Sequence, residues 1–170
     1  ENFLFRYGDI SIEKNQLQLA PAIIGGKKYF TTGETRYTTG KWHQVVCVYD
    51  GSSTAIYVDG KLDVKFSAGP GTINLNVDYF DGFWFGKSCG GRYLNGAISE
   101  ARFWTRALNI NEIQDNACYV DPKSDGLLAY WRFNAVQEDG VTVRDETGNG
   151  FDAIAENKMF TWIDNVRCPF

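Results

Sequence analysis

Few of the 170 residues are of types that do chemistry, and their spacing narrows what they can do. His43 is the only histidine. Any Ser-His-Asp triad would have to be built on it. It stands between Trp42 and Gln44 at the head of a strand-like run, a place that calls for no base. Hydrolysis of a glycoside with retention needs two carboxyl groups ~5–5.5 Å apart, and residues two apart on a strand share a face. Glu100 has no carboxylate at 98, 102 or 104. It reads as a structural acid that engages Arg102, Arg106 or a backbone amide. Asp145 and Glu146 are adjacent and would point apart on a strand, so they read as turn residues. Gly25-Gly26 and Gly90-Gly91 are not phosphate loops, because no glycine-rich motif precedes a helix. The four cysteines, at 47, 89, 118 and 168, include no Cys-x-x-Cys pair, which with a single histidine argues against zinc. Cys47, in Val45-Val46-Cys47-Val48, reads as a buried free thiol. Cys89, Cys118 and Cys168 sit in loop-like contexts. Sequence leaves open which of them pair and whether any do.

Two groupings point to binding rather than reaction. The loop over residues 145–152 offers oxygen ligands from Asp145, Thr147, Asn149 and Asp152, the donor type that calcium takes. It lacks the EF-hand spacing and the closing Glu, and Gly148 and Gly150 call first for a sharp turn. The expectation is a turn, with calcium as the second reading and no cofactor required. The other grouping is aromatic. Asp78-Tyr79-Phe80-Asp81-Gly82-Phe83-Trp84-Phe85 places Phe83 and Phe85 on one face and Trp84 on the other. A sugar site needs an exposed flat ring and a polar fringe. Trp84 and Tyr93 would supply rings, and Asp81, Arg92 and Asn95 the fringe. The competing expectation packs Trp84 under a loop. Trp42, Trp104 and Trp131 read as core or half-core, and Trp162 as buried by the last strand.

Elements must position these residues. Alternation of period two, broken by Gly, Asn and Asp, marks strands at 2–7, 16–20, 42–49, 54–58, 61–66, 72–77, 82–86, 96–104, 127–133, 141–144 and 159–163. Asp59-Gly60 is the strongest hairpin signal, since a type I′ turn needs positive φ at both central residues. Strict pairing would set Val58 against Lys61 and put Ile56 and Val58 out of phase with Leu62, Val64 and Phe66. Either a β-bulge or a different buried layer for 61–66 is therefore expected. Asn109 and Glu112 have capping-box spacing for one short helix near 110–116, and Pro122 bars a long extension. Many short strands and one helix argue for a β-sandwich or barrel. No linker divides the chain, and 118–126 is the one candidate joint. The net charge of −4 gives no basic nucleic-acid footprint. No apolar run nears the ~20 residues of a membrane helix.

Several segments together resemble a known family. Trp42-His43-Gln44-Val45-Val46-Cys47-Val48-Tyr49-Asp50-Gly51 with Ala55-Ile56-Tyr57-Val58-Asp59-Gly60-Lys61-Leu62 is similar to the central hairpin of laminin-G-like, concanavalin A-like jelly rolls. Arg92-Tyr93-Leu94-Asn95-Gly96-Ala97-Ile98-Ser99-Glu100-Ala101-Arg102-Phe103-Trp104, then Arg106-Ala107-Leu108 and Glu112-Ile113, resembles its strand-then-helix element. Gly126-Leu127-Leu128-Ala129-Tyr130-Trp131-Arg132-Phe133 and Asp145-Glu146-Thr147-Gly148-Asn149-Gly150-Phe151-Asp152 resemble a third signature. That signature often opens such a domain, whereas here it follows the helix. The order is similar to C-terminal domains of Bacteroidetes surface lipoproteins. The glucanases of this fold typically carry a Glu-x-Asp-x-(x)-Glu run, and none occurs here.

The resemblance implies an all-β, two-sheet antiparallel β-sandwich (jelly roll) over 1–170 as a single domain, in which either the chain is a fragment that lacks first strands or an upstream domain before Glu1, or the late strands 127–133 and 159–163 fill those sheet positions. It also implies an exported protein, at the cell surface or in the periplasm, anchored through a lipoprotein segment outside this chain. The expected function is non-catalytic glycan binding. The alternative is a protein–protein adhesion or scaffold module, and a glycoside hydrolase ranks below both. No nucleic-acid partner and no membrane span are expected.

Overall fold

The computed structural model describes residues 5–9, 12–19, 31–37, 40–71, 83–88, 92–156, 161–163, 166 and 168. The chain divides into two compact units. The first holds Glu1–Tyr93 and Ala107–Ala117, with Pro169–Phe170. The second holds Leu94–Arg106 and Cys118–Cys168. One boundary thus falls at the start of the expected joint.

In the first unit, β1 (Phe5–Asp9) pairs antiparallel with β2 (Ile12–Leu19), and β3 (Thr31–Thr32) pairs with the end of β2. A second sheet runs β4 (Val45–Tyr49), β5 (Ser53–Val58), β6 (Lys61–Ser67), with β5 in the middle. The central strand is buried on both faces, and Ile56 and Val58 form a core cluster with Val64. Tyr37, Val45 and Cys47 pack against it. Desolvation there pushes the Cys47 thiol up to about 12, and Cys47 is free, as its valine-rich context requires.

Asp59 (φ 51°) and Gly60 (φ 70°) both take left-handed backbone, so the Asp-Gly pair makes the expected hairpin turn. The bulge is present. Ile56 pairs with Val64 and Tyr57 with Leu62, which leaves Asp63 as the extra residue. This brings Val64 onto the face of Ile56 and Val58. Leu62, opposite Tyr57, lies on the other face and is 52% exposed, and Phe66, opposite Thr54, shares the face of Val64 but is 54% exposed. Bulged Asp63 accepts a bond on Oδ1 from Thr35 N at 3.0 Å.

Helix α1 (Ile110–Asp115) completes this unit with the anticipated capping box. Asn109 Oδ1 accepts from the amides of Asn111 and Glu112, and Glu112 Oε2 accepts from Asn109 N. Six residues are too few for a helix to persist alone. Side-chain bonds hold it: Gln114 Nε2 donates to Gly60 O at 2.9 Å, and Gln44 Nε2 to Ile113 O at 3.2 Å. Ile113 is buried.

A two-residue ladder, β7 (Lys87–Ser88) with β8 (Arg92–Tyr93), also belongs to the first unit. The strand expected at 82–86 is displaced. Residues 83–86 are irregular and pairing begins at Lys87. Aromatic content raises β-propensity without fixing a partner.

In the second unit, β9 (Glu100–Trp104) pairs with β10 (Leu127–Arg132), and β11 (Thr142–Val143) with β12 (Ala153–Ile154). Val120, Leu127 and Tyr130 form its core with Trp104 against them. Trp131 is buried and donates from Nε1 to Phe151 O at 2.7 Å. Residues 161–163 are not strand, and Trp162 is 38% exposed rather than buried. The strand expected at 72–77 lies outside the described residues, as does Cys89. Cys118 and Cys168 form a disulfide across 50 residues of sequence.

Two stability experiments follow. Gly60→Ala is expected to cost ~1–2 kcal/mol in urea unfolding, because a Cβ there meets the left-handed penalty. Reducing the Cys118–Cys168 bond is expected to lower stability by up to about 4 kcal/mol on chain-entropy grounds, read by unfolding with and without reductant.

Candidate functional site

The acids come first, since any hydrolytic chemistry would use them. Glu100 and Arg132 are cross-strand partners, as are Arg102 and Tyr130, so the ladder gathers all four side chains on one face. Arg102 Nη2 bonds to Glu100 Oε2, Tyr130 Oη donates to the same oxygen at 3.0 Å, and Arg132 Nε lies 3.8 Å from Oε1. Burial, then the Glu100 charge, raises the Tyr130 phenol. Arg102 was expected here. Arg106 instead reaches Asp125 O and lies over the Trp104 ring. Arg132 and Tyr130 were missed because only the register of β9 with β10 brings them in.

His43 donates from Nδ1 to Asp59 Oδ2 at 2.8 Å, with the Tyr37 ring edge-on at 5.4 Å. Its Nε2 is buried without a hydrogen-bond partner among the described residues.

The 145–152 loop is organised from within. The Asp145 carboxylate is buried and accepts from Tyr130 N, Thr147 N, Thr147 Oγ1 and Phe151 N at 2.8–3.3 Å. Asp152 Oδ1 accepts from Asp145 N at 2.8 Å, Asn149 Nδ2 donates to Leu128 O at 2.9 Å, and Thr147 Oγ1 accepts from Asn149 N at 3.2 Å. Gly148 (φ 75°) and Gly150 (φ 87°) make the turn. In this arrangement N–H and O–H donors converge on the Asp145 carboxylate. Among the described residues no three of His, Cys, Asp and Glu converge to hold a metal. Burial raises the Asp145 carboxyl, but the Tyr130 amide and the Thr147 donors outweigh it and leave it below its ordinary value.

The aromatic grouping is the other candidate. Trp84 is 36% exposed, Phe83 51% and Tyr93 60%. Phe83 is therefore not core; it stacks edge-to-face on half-buried Phe85 at 5.3 Å. Lys87 pairs directly with Tyr93 across the ladder, and opposed residues share a face. The Lys87 ammonium lies 4.0 Å from the centroid of the Trp84 ring. The ladder thus places Trp84, Lys87 and Tyr93 side by side. Of the other expected members, Arg92 pairs with Ser88 on β8, Asn95 is exposed in the second unit, and Asp81 lies outside the described residues. Lys87 was missed. The signal for it was in the sequence, since no Asp or Glu stands between Phe83 and Ser99 while Lys87 and Arg92 do.

A family model, the concanavalin A-like lectin/glucanases superfamily, matches residues 2–114. The chain belongs to this superfamily. Its antiparallel sheets and the one short helix among the described residues accord with the superfamily's β-sandwich. A solved structure, "a putative carbohydrate binding protein" from Bacteroides ovatus, is 28% identical with a TM-score of 0.69. The match covers 85% of this chain and 42% of that one, so the chain spans less than half of that neighbour's length. An S-layer domain-containing protein from Clostridium thermocellum is 21% identical with a TM-score of 0.38, covering 59% of this chain and 49% of that one, a likeness too slight to bear on function. No curated protein matches the chain.

The Asp145 network generates a pH prediction. A carboxyl whose folded value is depressed adds stability at neutral pH that is lost as pH falls through the folded value. Asp145→Asn is expected to cost ~1–3 kcal/mol at neutral pH, because it leaves buried donors unmatched. It should also flatten the acid limb of stability against pH, measured by urea unfolding from neutral pH downward.

Proposed function

We propose that the chain is a non-catalytic glycan-binding module of an exported bacterial protein, with Trp84 and Tyr93 as its sugar platform. The observation that carries the reading is the pair of exposed rings flanking Lys87 on the β7–β8 ladder. Flat rings match the apolar C–H faces of sugars, and cations and amides match their hydroxyls. The name of the Bacteroides ovatus neighbour supports the ligand class. The Cys118–Cys168 disulfide supports an oxidising compartment outside the cytosol. Among the described residues no helix is long and apolar enough to cross a membrane. Anchoring would come through a segment outside the chain, next to a further domain.

The reading needs no hydrolytic pair. Glu100 is engaged by Arg102, Arg132 and Tyr130, and a retaining mechanism needs a free nucleophile and an acid. It needs no cofactor either. Residues 1–170 form one module in this reading, since the two units interleave along the chain, the segment Ala107–Ala117 of one falling inside the other.

The test is Trp84→Ala, with a glycan array used to find the ligand. Binding is expected to weaken by ~1–3 kcal/mol in titration calorimetry with the melting temperature unchanged. A loss of ~3–5 kcal/mol of stability with binding intact would make Trp84 a core residue and move the site elsewhere.

A further inference from the structure

We infer that Asn95 is a modification site, at which the side-chain amide is lost as ammonia through a succinimide closed by the Gly96 nitrogen. The reaction favours an asparagine followed by a glycine, whose bare backbone nitrogen is easily approached. The chain has two such pairs, Asn95-Gly96 and Asn149-Gly150. In the first step the Gly96 nitrogen attacks Cγ of Asn95. An N–Cγ bond forms, the Cγ–Nδ2 bond breaks, and the proton shed by the nitrogen leaves through solvent with the departing ammonia. Water then opens the ring at either carbonyl, giving aspartate or isoaspartate, and nothing is oxidised or reduced. Attack requires the nitrogen within ~3–3.5 Å of the carbon and aligned with it, so the backbone at the pair must be free to turn.

The two pairs differ in that freedom. Asn95 and Gly96 form an exposed bend between β8 and β9. Among the described residues neither the Asn95 side chain nor the Gly96 amide has a hydrogen-bond partner. Asn149 is held instead. Its Nδ2 donates to Leu128 O at 2.9 Å and its backbone amide to Thr147 Oγ1 at 3.2 Å. Beyond the glycine, Phe151 N donates to Asp145 Oδ2 at 3.3 Å, so the chain is fixed on both sides of Gly150. The same dipeptide is thus open to ring closure in one loop and protected in the other. Modification puts a carboxylate where the Asn95 amide stood, and the isoaspartate product adds one carbon to the backbone that joins β8 to β9. Neither step depends on the glycan reading.

The experiment incubates the full chain and its Gly96→Ala variant at mildly alkaline pH, in buffer and in concentrated urea, and follows both asparagines by peptide mass mapping. In buffer Asn95 is expected to be modified about tenfold faster than Asn149, and in urea, where the loop bonds are lost, the two rates should converge. Gly96 does not take left-handed backbone, and a Cβ there would lie 3.6 Å from the Leu94 side chain, an ordinary contact. Gly96→Ala is therefore expected to keep the melting temperature and to slow the reaction at Asn95 by about tenfold, because the added methyl crowds the attacking nitrogen. Equal rates at the two asparagines in buffer, or a faster rate at Asn149, overturn the inference. So does an Asn95 that stays intact in buffer while both react in urea, a preference for Asn95 that persists in urea, or an unchanged rate in Gly96→Ala.

Discussion

The first unit is organised around one carboxylate on one left-handed turn. Asp59 must take positive φ for the β5–β6 hairpin to close in two residues, and that geometry aims its side chain back along the sheet. There Oδ1 accepts from Gln44 N at 2.9 Å and Oδ2 from His43 Nδ1 at 2.8 Å, while Asp59 N donates to Gln44 O at 3.0 Å. The entry to β4 is thereby tied to the turn that ends β5. Three strands share one register because one residue satisfies the turn and the neighbouring backbone together. The turn also offers Gly60 O to Gln114, so a helix too short to persist alone is held against it. Replacing Asp59 by a residue of similar backbone preference but no carboxylate would keep the turn and release the entry to β4.

The second unit uses its acids the same way. Asp145 collects three backbone amides and a hydroxyl, and Glu100 collects two guanidinium groups and a phenol. A buried carboxylate is tolerated when donors converge on it. These donors come from the segments whose positions the carboxylate then fixes. Asp145 N in turn donates to Asp152, which closes the loop from its other end. Acids used in this way define shape, because each ties together segments far apart in sequence.

What the sequence revealed and what it hid divide along a physical line. The Asp59-Gly60 turn, the bulge, the Asn109–Glu112 cap and the free Cys47 are local matters, settled by φ preference, by hydrogen bonds three residues apart, or by the apolar residues on either side. Each was legible. The partners of Glu100 were half legible, since Arg102 is two residues away and Arg132 arrives only through the β9–β10 register. Lys87 escaped notice as a site residue for the same reason, because its neighbour Tyr93 is set by a cross-strand pair. The strands expected at 82–86 and 159–163 show the limit of reading strands from aromatic content. Phe83, Trp84, Trp162 and Ile163 have β-favouring side chains but no ladder. β-propensity measures fit to a pleated surface that a neighbouring strand must first provide.

That same condition separates the aromatic residues into two kinds. Tyr130 and Trp131 lie on a six-residue strand paired along most of its length, and they are 2% and 7% exposed. Trp84 and Tyr93 lie beside or on two-residue strands, and they are 36% and 60% exposed. Exposure of large rings carries a hydrophobic cost that folding alone gives no reason to accept. A ligand that covers them recovers that cost on binding. Connecting segments on a rigid scaffold are where binding residues concentrate, since their backbone is free of the ladder's demands. Around Trp84 the ladder sets Lys87 opposite Tyr93 and leaves both rings partly exposed, the two properties on which the proposed glycan surface rests.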